Sequence, residues 1–242
     1  MAVAVRWISQ TGTKTKDNRD CAGVGIRKDG VLCVVLDGST SGPHSGDLAR
    51  QISRAVVDWY VSSEGEITSE VITGRIREIH GALSKEHPRD SASYMIAHFR
   101  SPREVLVLHA GDCLLGRYDD KTGIDWVSQP HTLANVAGNI SIPDIVDVPA
   151  RQRLTRSFRA REFMPPDAIE VKVSRELVIA TDGFWAELSS GDQALFLNGG
   201  DVPMGANGDD RSILRLLPLE SAGEGHVQFL RETDNLYARS IS

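Results

Sequence analysis

The sequence predicts an α+β sandwich, and three observations carry that prediction. Short runs rich in β-branched residues recur and close on turn residues, which is how buried strands read. Two stretches of helical periodicity lie together between two sets of such runs, rather than alternating with them one by one. Three of the runs also end on carboxylates: 31–36 runs into Asp37-Gly38, 105–108 into His109-Ala110-Gly111-Asp112, and 177–180 through Thr181 into Asp182-Gly183.

In chain order, residues 22–36 read as a hairpin around Arg27-Lys28-Asp29-Gly30, since Asp-Gly between apolar stretches favours a tight turn. From Ser45 the period changes, and Leu48, Ile52, Ala55, Val56, Trp59 and Tyr60 share a helical face, with Ser45 and Asp47 suited to its start. A second amphipathic helix carries Ile72, Ile76, Ile79 and Leu83 and stops near His87-Pro88, where proline removes a donor. Residues 93–99, 104–109, 114–118 and 124–127 read as a β-meander. Residues 136–153, with Gly138, Pro143 and Pro149, read as a surface flap over the site.

Residues 169–173 and 177–180 then form a strand pair, and 212–217 is the last clear strand before a polar break at 220–225. The domain is therefore expected to span 1–218. Residues 219–242 are left as a tail in which Val227, Leu230, Tyr237 and Ile241 share a helical face packed on the domain, although Asp234 interrupts the stripe.

The composition excludes several classes. With 242 residues the chain is long enough for one large core, and 40% hydrophobic with 25% charged residues is ordinary for a globular protein. No apolar run approaches the roughly 18 residues of a membrane span, and the start lacks a charged leader with a cleavage site, so the expectation is a cytoplasmic protein away from membranes. The net charge of −6 argues against a general nucleic-acid surface. Cys21, Cys33 and Cys113 are odd in number and widely spaced, which suits buried free thiols.

Two further acidic clusters sit at strand boundaries: Asp17-Asn18-Arg19-Asp20 before the hairpin and Asp209-Asp210 before the last strand. Taken singly, an Asp-Gly after an apolar run is a turn, Asp112 and Asp209 are caps, and Asp210 is solvated. Five together at neighbouring strand ends gather negative charge that needs a cation or protons. Oxygen-only ligands suit Mg²⁺ or Mn²⁺ rather than zinc. Two such ions about 4 Å apart can activate water and clamp a phosphate.

The ordered motifs DNRD, VVLDG, SGDLA, HAGDC, PHTLAN, LTRSF, ATDGFWAEL and GDDRSI resemble the protein phosphatase 2C family of metal-dependent Ser/Thr phosphatases, over residues 7–217. The resemblance implies a four-layer αββα sandwich, two antiparallel sheets with helices outside, and a two-metal centre at one edge. It casts Asp37 as the bridging carboxylate, the Gly38 carbonyl as a second-metal ligand, and Asp182 and Asp209 as first-metal ligands. By the same resemblance Asp20 would act on the second-metal side through water, and Asp112 would go with a weaker third ion. The implied reaction is attack by a metal-bridging hydroxide on phosphoserine or phosphothreonine. The implied partners are a phosphorylated protein and a cognate Ser/Thr kinase.

The chain departs from the family in places. Arg19 stands where the family has Glu or Gln, and the phosphate-gripping Arg near Thr15 is missing, leaving Lys14 and Lys16, of which Lys16 is the point-charge candidate. Ser39-Thr40-Ser41-Gly42-Pro43-His44 replaces a Gly-Gly pair and often a His, so His44 is the nearby candidate for protonating the leaving group. Cys113-Leu114 follows Asp112 where an Arg is usual, and a Gly-rich loop at 198–207 replaces a longer helical element. Two rival readings are a catalytically silent phosphatase-like binding module and a serine-type hydrolase built on Gly38 to Gly42, whose elbow position holds Thr40.

Overall fold

The Asp29-Gly30 turn folds β2 (Asp20–Ile26) back on β3 (Val31–Gly38), with Ile26 opposite Val31 and Asp20 opposite Asp37. Along β3, Leu32, Val34 and Leu36 face helices, while Val31, Cys33 and Val35 face a second sheet. A period-2 strand buried on both faces shows no polar alternation, which is why this run is continuously apolar. The computed structural model describes residues 3–138, 140–219, 227–229 and 234–240.

The first helix, α1 (Ser45–Ser62), lays Leu48, Ile52, Val56 and Tyr60 on the outer face of that sheet. The second, α2 (Ser69–Leu83), starts on Thr68, whose hydroxyl accepts the Val71 amide, and buries Ile72, Ile76 and Ile79. Burying each such side chain contributes about 1.5–3 kcal/mol. Next come β4 (Ser91–Ser101), β5 (Glu104–Ala110), β6 (Leu114–Asp119) and β7 (Gly123–Trp126). After them lie a short α3 (Ile142–Ile145), β8 (Phe158–Arg159), β9 (Asp167–Lys172) and β10 (Glu176–Ala180). The remaining elements are α4 (Asp182–Trp185), α5 (Ser190–Leu197), β11 (Arg211–Pro218), β12 (Val227–Phe229) and β13 (Leu236–Ser240). A strand absent from the sequence reading, β1 (Val3–Gln10), pairs antiparallel with β11.

One sheet runs β13-β2-β3-β4-β5-β9 with β8 beside β4, and the other runs β12-β1-β11-β10-β6-β7. Between them Trp7, Val24, Val35, Met95, Val107, Leu115, Leu177 and Leu214 form the central core. On the far side, Phe184, Trp185, Phe196 and Leu197 of α4 and α5 cover Ile8, Leu114, Val178 and Ile213. The architecture is the expected αββα sandwich of mostly antiparallel sheets.

Three expectations of connectivity are corrected. The meander is two hairpins in different sheets, because the chain crosses the sandwich between β5 and β6. Likewise β9 and β10 are not a pair: β9 lies on β5 and β10 lies between β6 and β11. Each tight connection reads as a hairpin in sequence, yet both sheets need apolar strands and the turn does not reveal which sheet receives the next one. The helix expected in the tail is, in its described part, two strands, with β12 parallel to β1 and β13 parallel to β2. Sheet edges offer unpaired backbone groups, and Leu236 and Tyr237 pack against opposite faces of the β13–β2 sheet as period 2 demands. Leu230 and Ile241 of the expected stripe lie outside the described residues. Among the described residues no helix is long and apolar enough to cross a membrane. All three cysteines are buried and free.

Candidate active site

Strand ends from both sheets meet at one edge of the sandwich. Asp20 opens β2 and Asp37 lies near the end of β3; Asp112 follows β5, Asp182 follows β10, and Asp209-Asp210 precede β11. Four of them, Asp37, Asp112, Asp182 and Asp209, line a cleft of about 390 Å³ with Lys14 and Arg151. A wider groove of about 930 Å³ opens at the other end of the sandwich, where Glu104 and Glu176 lie among the cations Arg103, Lys172 and Arg175.

The carboxylates disturb one another. Burial, then the charges of Asp20, Asp182, Asp112 and Asp209, push the Asp37 carboxyl well above its usual range. Burial, then the Asp112 and Asp209 charges, push Asp182 up to about 7 against the opposing pull of Arg151 and Lys14. Burial raises Asp112, although the Ser93 hydroxyl donates to it at 2.6 Å. Asp20, 1% exposed, is raised well above its range by burial and by Asp210. Its Oδ2 accepts the Thr181 hydroxyl at 2.9 Å, while its Oδ1 is buried without a partner.

The glycines of the two Asp-Gly motifs serve close approach. A Cβ on Gly183 would lie 2.0 Å from the Asp210 carbonyl oxygen, and one on Gly38 would lie 2.6 Å from the Ser45 carbonyl oxygen. Neither glycine has a positive φ, so these motifs are not the turns that Asp-Gly commonly marks. They let β10 meet β11, and β3 meet α1, at backbone distance. Trp185 ties a third segment in, its indole N–H donating to the Asp112 carbonyl at 2.9 Å.

The two sides of the cleft carry cations. Lys14 Nζ donates to Asp209 at 2.9 Å and Glu187 at 3.1 Å. Arg151, in a short turn of the flap at Pro149–Gln152, donates to Asp182 at 3.3 Å and to the Val146 carbonyl at 2.8 Å. Two prospective ligands are thus turned toward side-chain cations. Among the described residues no group of three or more His, Cys, Asp and Glu side chains is arranged as a finished metal set. The donor chemistry nevertheless fits a hard divalent ion: every convergent acid is a carboxylate, their protonation is shifted by mutual charge, and Asp20 Oδ1 lacks any partner.

A protein-family profile described as protein phosphatase 2C matches residues 11–202. The chain belongs to the protein phosphatase 2C family. Its class of activity is that of a protein serine/threonine phosphatase. The fold is similar to the serine/threonine phosphatase Stp1 from Staphylococcus aureus, at TM-score 0.75 and 14% identity over 91% of this chain and 96% of that one. It is also similar to the S. agalactiae serine/threonine phosphatase, at TM-score 0.74 and 14% identity over 90% and 100%. For the Mycobacterium tuberculosis phosphatase PstP/Ppp the values are 0.69 and 17%, over 90% and 100%. No curated protein sequence matches the chain.

Measured against the phosphatase 2C motifs, the structure brings Asp37, Asp112, Asp182 and Asp209 to the cleft and seats Asp20 opposite Asp37. Lys16 is exposed and does not line the cleft. His44 lies just before α1, 3.8 Å from Asp47, on a neighbouring groove with Arg50 and His87. Arg19, in place of the family's Glu or Gln, donates to the carbonyls of Ser39 at 2.7 Å and Gly42 at 2.6 Å, propping the loop after Asp37-Gly38. Asp210 is buried rather than solvated, since it accepts the amides of Gly12 and Arg19, each at 2.7 Å. Sequence reasoning missed Arg151 as a site residue. The signal was available in principle, as an arginine on a segment expected to cover an acidic cleft. No local pattern distinguishes Lys14 from Lys16.

Proposed function

We propose that this chain is a metal-dependent phosphoprotein phosphatase that releases phosphate from phosphoserine or phosphothreonine with Mn²⁺ or Mg²⁺. The observation that carries this reading is the gathering of Asp37, Asp112, Asp182 and Asp209, from both sheets, beside two cations in one cleft, with Asp20 buried opposite Asp37. Asp37, the Gly38 carbonyl, Asp182 and Asp209 would hold two ions, with Asp20 on the second-metal side and Asp112 toward a weaker third. When bound, the ions supply Lewis acidity and activate water for in-line attack on phosphorus.

The chain's own residues contribute the rest. Arg151 and Lys14 present positive charge to the cleft and orient the phosphate, Arg151 with unused guanidinium donors and Lys14 as a point charge. Lys16 and His44, the candidates for phosphate anchoring and leaving-group protonation, do not line that cleft, and in this reading Lys14 and Arg151 bind the phosphate. The flap carries Arg151, Gln152 and Leu154 to the rim, which narrows the entrance for a phosphorylated side chain. A phosphorylated protein is the proposed substrate, a cognate Ser/Thr kinase the proposed source of its phosphate, and the cytoplasm the proposed compartment.

The test is phosphate release from phosphopeptides with Mn²⁺, with chelator, and with Asp182→Asn. Release is expected only for the unmodified chain with metal, and equal rates in all three would sink the reading. The silent-module reading rests on the ion pairs of Lys14 with Asp209 and Arg151 with Asp182, and it is favoured by metal uptake without any release.

A further inference from the structure

Among the described residues, the carboxy-terminal segment touches the Asp20 backbone through Asn235. Asn235, immediately before β13, lies beyond residues 11–202, the span that matches the family. Its Oδ1 accepts the indole N–H of Trp7 at 2.8 Å. Its Nδ2 donates to Ser9 Oγ and to the Asp20 carbonyl, each at 2.9 Å, and its own carbonyl accepts the Ala22 amide at 2.9 Å. An indole N–H can only donate, so the amide oxygen must face Trp7 and the NH₂ must face Asp20. One side chain therefore bridges β1 of one sheet to β2 of the other, with both of its ends satisfied.

Asp20 is the residue this bridge holds. Its amide donates to Asn18 Oδ1 at 3.0 Å, its Oδ2 accepts Thr181, and its carbonyl accepts Asn235. Asn18 and Ser212 converge on the same Ser9 hydroxyl, each at 2.8 Å. With those bonds made, Oδ1 is the one buried side-chain oxygen of Asp20 left without a partner. The bonds of this network are partly shielded from water, and each member held in place steadies the next.

We propose that Asn235 is a positioning residue for the metal centre: its amide fixes the Asp20 backbone, so metal binding and docking of the carboxy-terminal strand reinforce each other. The inference rests on Asp20 being one of the carboxylates on the metal side. By linkage, whatever the docked strand adds to metal affinity the metal adds to strand docking.

The experiment uses the full chain, as wild type, Asn235→Ala, Asn235→Asp and Tyr237→Phe. The last variant removes a different contact of the same strand, the Tyr237 hydroxyl donating to Asp58 at 2.8 Å. Mn²⁺ affinity is read by calorimetry, and amide exchange of residues 234–240 is followed with and without Mn²⁺. Both Asn235 variants are expected to weaken Mn²⁺ binding about fivefold or more, a usual size for coupling between sites. Tyr237→Phe is expected to leave affinity unchanged, and Mn²⁺ is expected to slow exchange at 234–240 in the wild type and in Tyr237→Phe but in neither Asn235 variant. Unchanged affinity in Asn235→Ala, or an equal loss in Tyr237→Phe, overturns the proposal. Should the Asn235 variants not fold, wild-type exchange that ignores Mn²⁺ overturns it as well. A wild type that takes up no Mn²⁺ instead removes the metal reading beneath it.

Discussion

Asp20 and Asp37 are direct partners across the β2–β3 hairpin, two carboxylates facing each other at the edge of a sheet. Like charges opposite one another on a strand pair destabilise it, and here burial deepens the cost by raising both carboxyls. A fold that retains such a pair gives up stability at its site.

Removing one of the two charges therefore acts in opposite directions on stability and activity. In chelator, Asp37→Asn is expected to melt about 2–4 °C above the wild type, the size of a 1 kcal/mol gain in a domain of this length. With Mn²⁺ its phosphate release is expected to fall about 100-fold or more, at least ~2.7 kcal/mol of barrier. Calorimetric melting beside a phosphate assay checks both, and a variant that is less stable in chelator contradicts the repulsion argument.

The cations of the cleft separate from those nearby. Arg151→Ala is expected to raise KM for a phosphopeptide about tenfold, matching the ~1.5–3 kcal/mol of a hydrogen bond to a charged group. Arg151→Lys should recover part of that loss, having charge without the fork. Lys16→Ala and His44→Gln are expected to leave kcat and KM within about twofold, since neither side chain lines the cleft. Steady-state kinetics on the four variants decide it, and damage from Lys16→Ala equal to that from Arg151→Ala would reverse the assignment.

Two glycines should respond oppositely to alanine. At Gly183 the new methyl meets the Asp210 carbonyl, so Gly183→Ala is expected to cost about 1–3 kcal/mol and to displace Asp209-Asp210. At Gly81, exposed on α2 with open space around it, alanine is expected to add about 0.5–1 kcal/mol. Urea unfolding of both variants tests the pair.

Which features could be read from the chain follows from the range of the forces involved. The β2–β3 hairpin, α1 and α2 are local: a turn dipeptide and an apolar stripe specify them, and they stand where the pattern puts them. The division of β4 to β7 between two sheets depends on which distant strand accepts each edge, and no neighbouring residue encodes that. Likewise β12 and β13 replace an expected helix because open sheet edges outcompete an interrupted stripe. In the site, the carboxylates were legible because strand ends mark them. Arg151 and Asn235 arrive from 31 residues before Asp182 and 215 residues after Asp20, and only the folded chain brings them in.

Acid should weaken the fold through His98. Burial lowers this imidazole to about 4, and its ring packs edge-on against Tyr60 at 5.4 Å. The folded state then binds fewer protons than the unfolded chain between pH about 6.5 and about 4. Its stabilising contribution is complete above that window and is lost as the pH falls through it, by up to ~3 kcal/mol. Urea midpoints at several pH values are expected to fall more steeply for the wild type than for His98→Gln, and parallel slopes would rule His98 out as the source.

The carboxylates of the cleft do not belong to one sheet. Asp20 and Asp37 ride on β2 and β3, whereas Asp182 and Asp209 ride on the ends of β10 and β11 across the sandwich. An ion bound as proposed, by carboxylates of both sheets, would act mechanically as a rivet through two plates. It would resist sliding of one sheet over the other, since a slip of a single residue, about 3.4 Å, would pull its holes out of line. Met95 and Leu115 lie deep between the plates, so under the proposed function a substitution there would be felt at the metal site as shear.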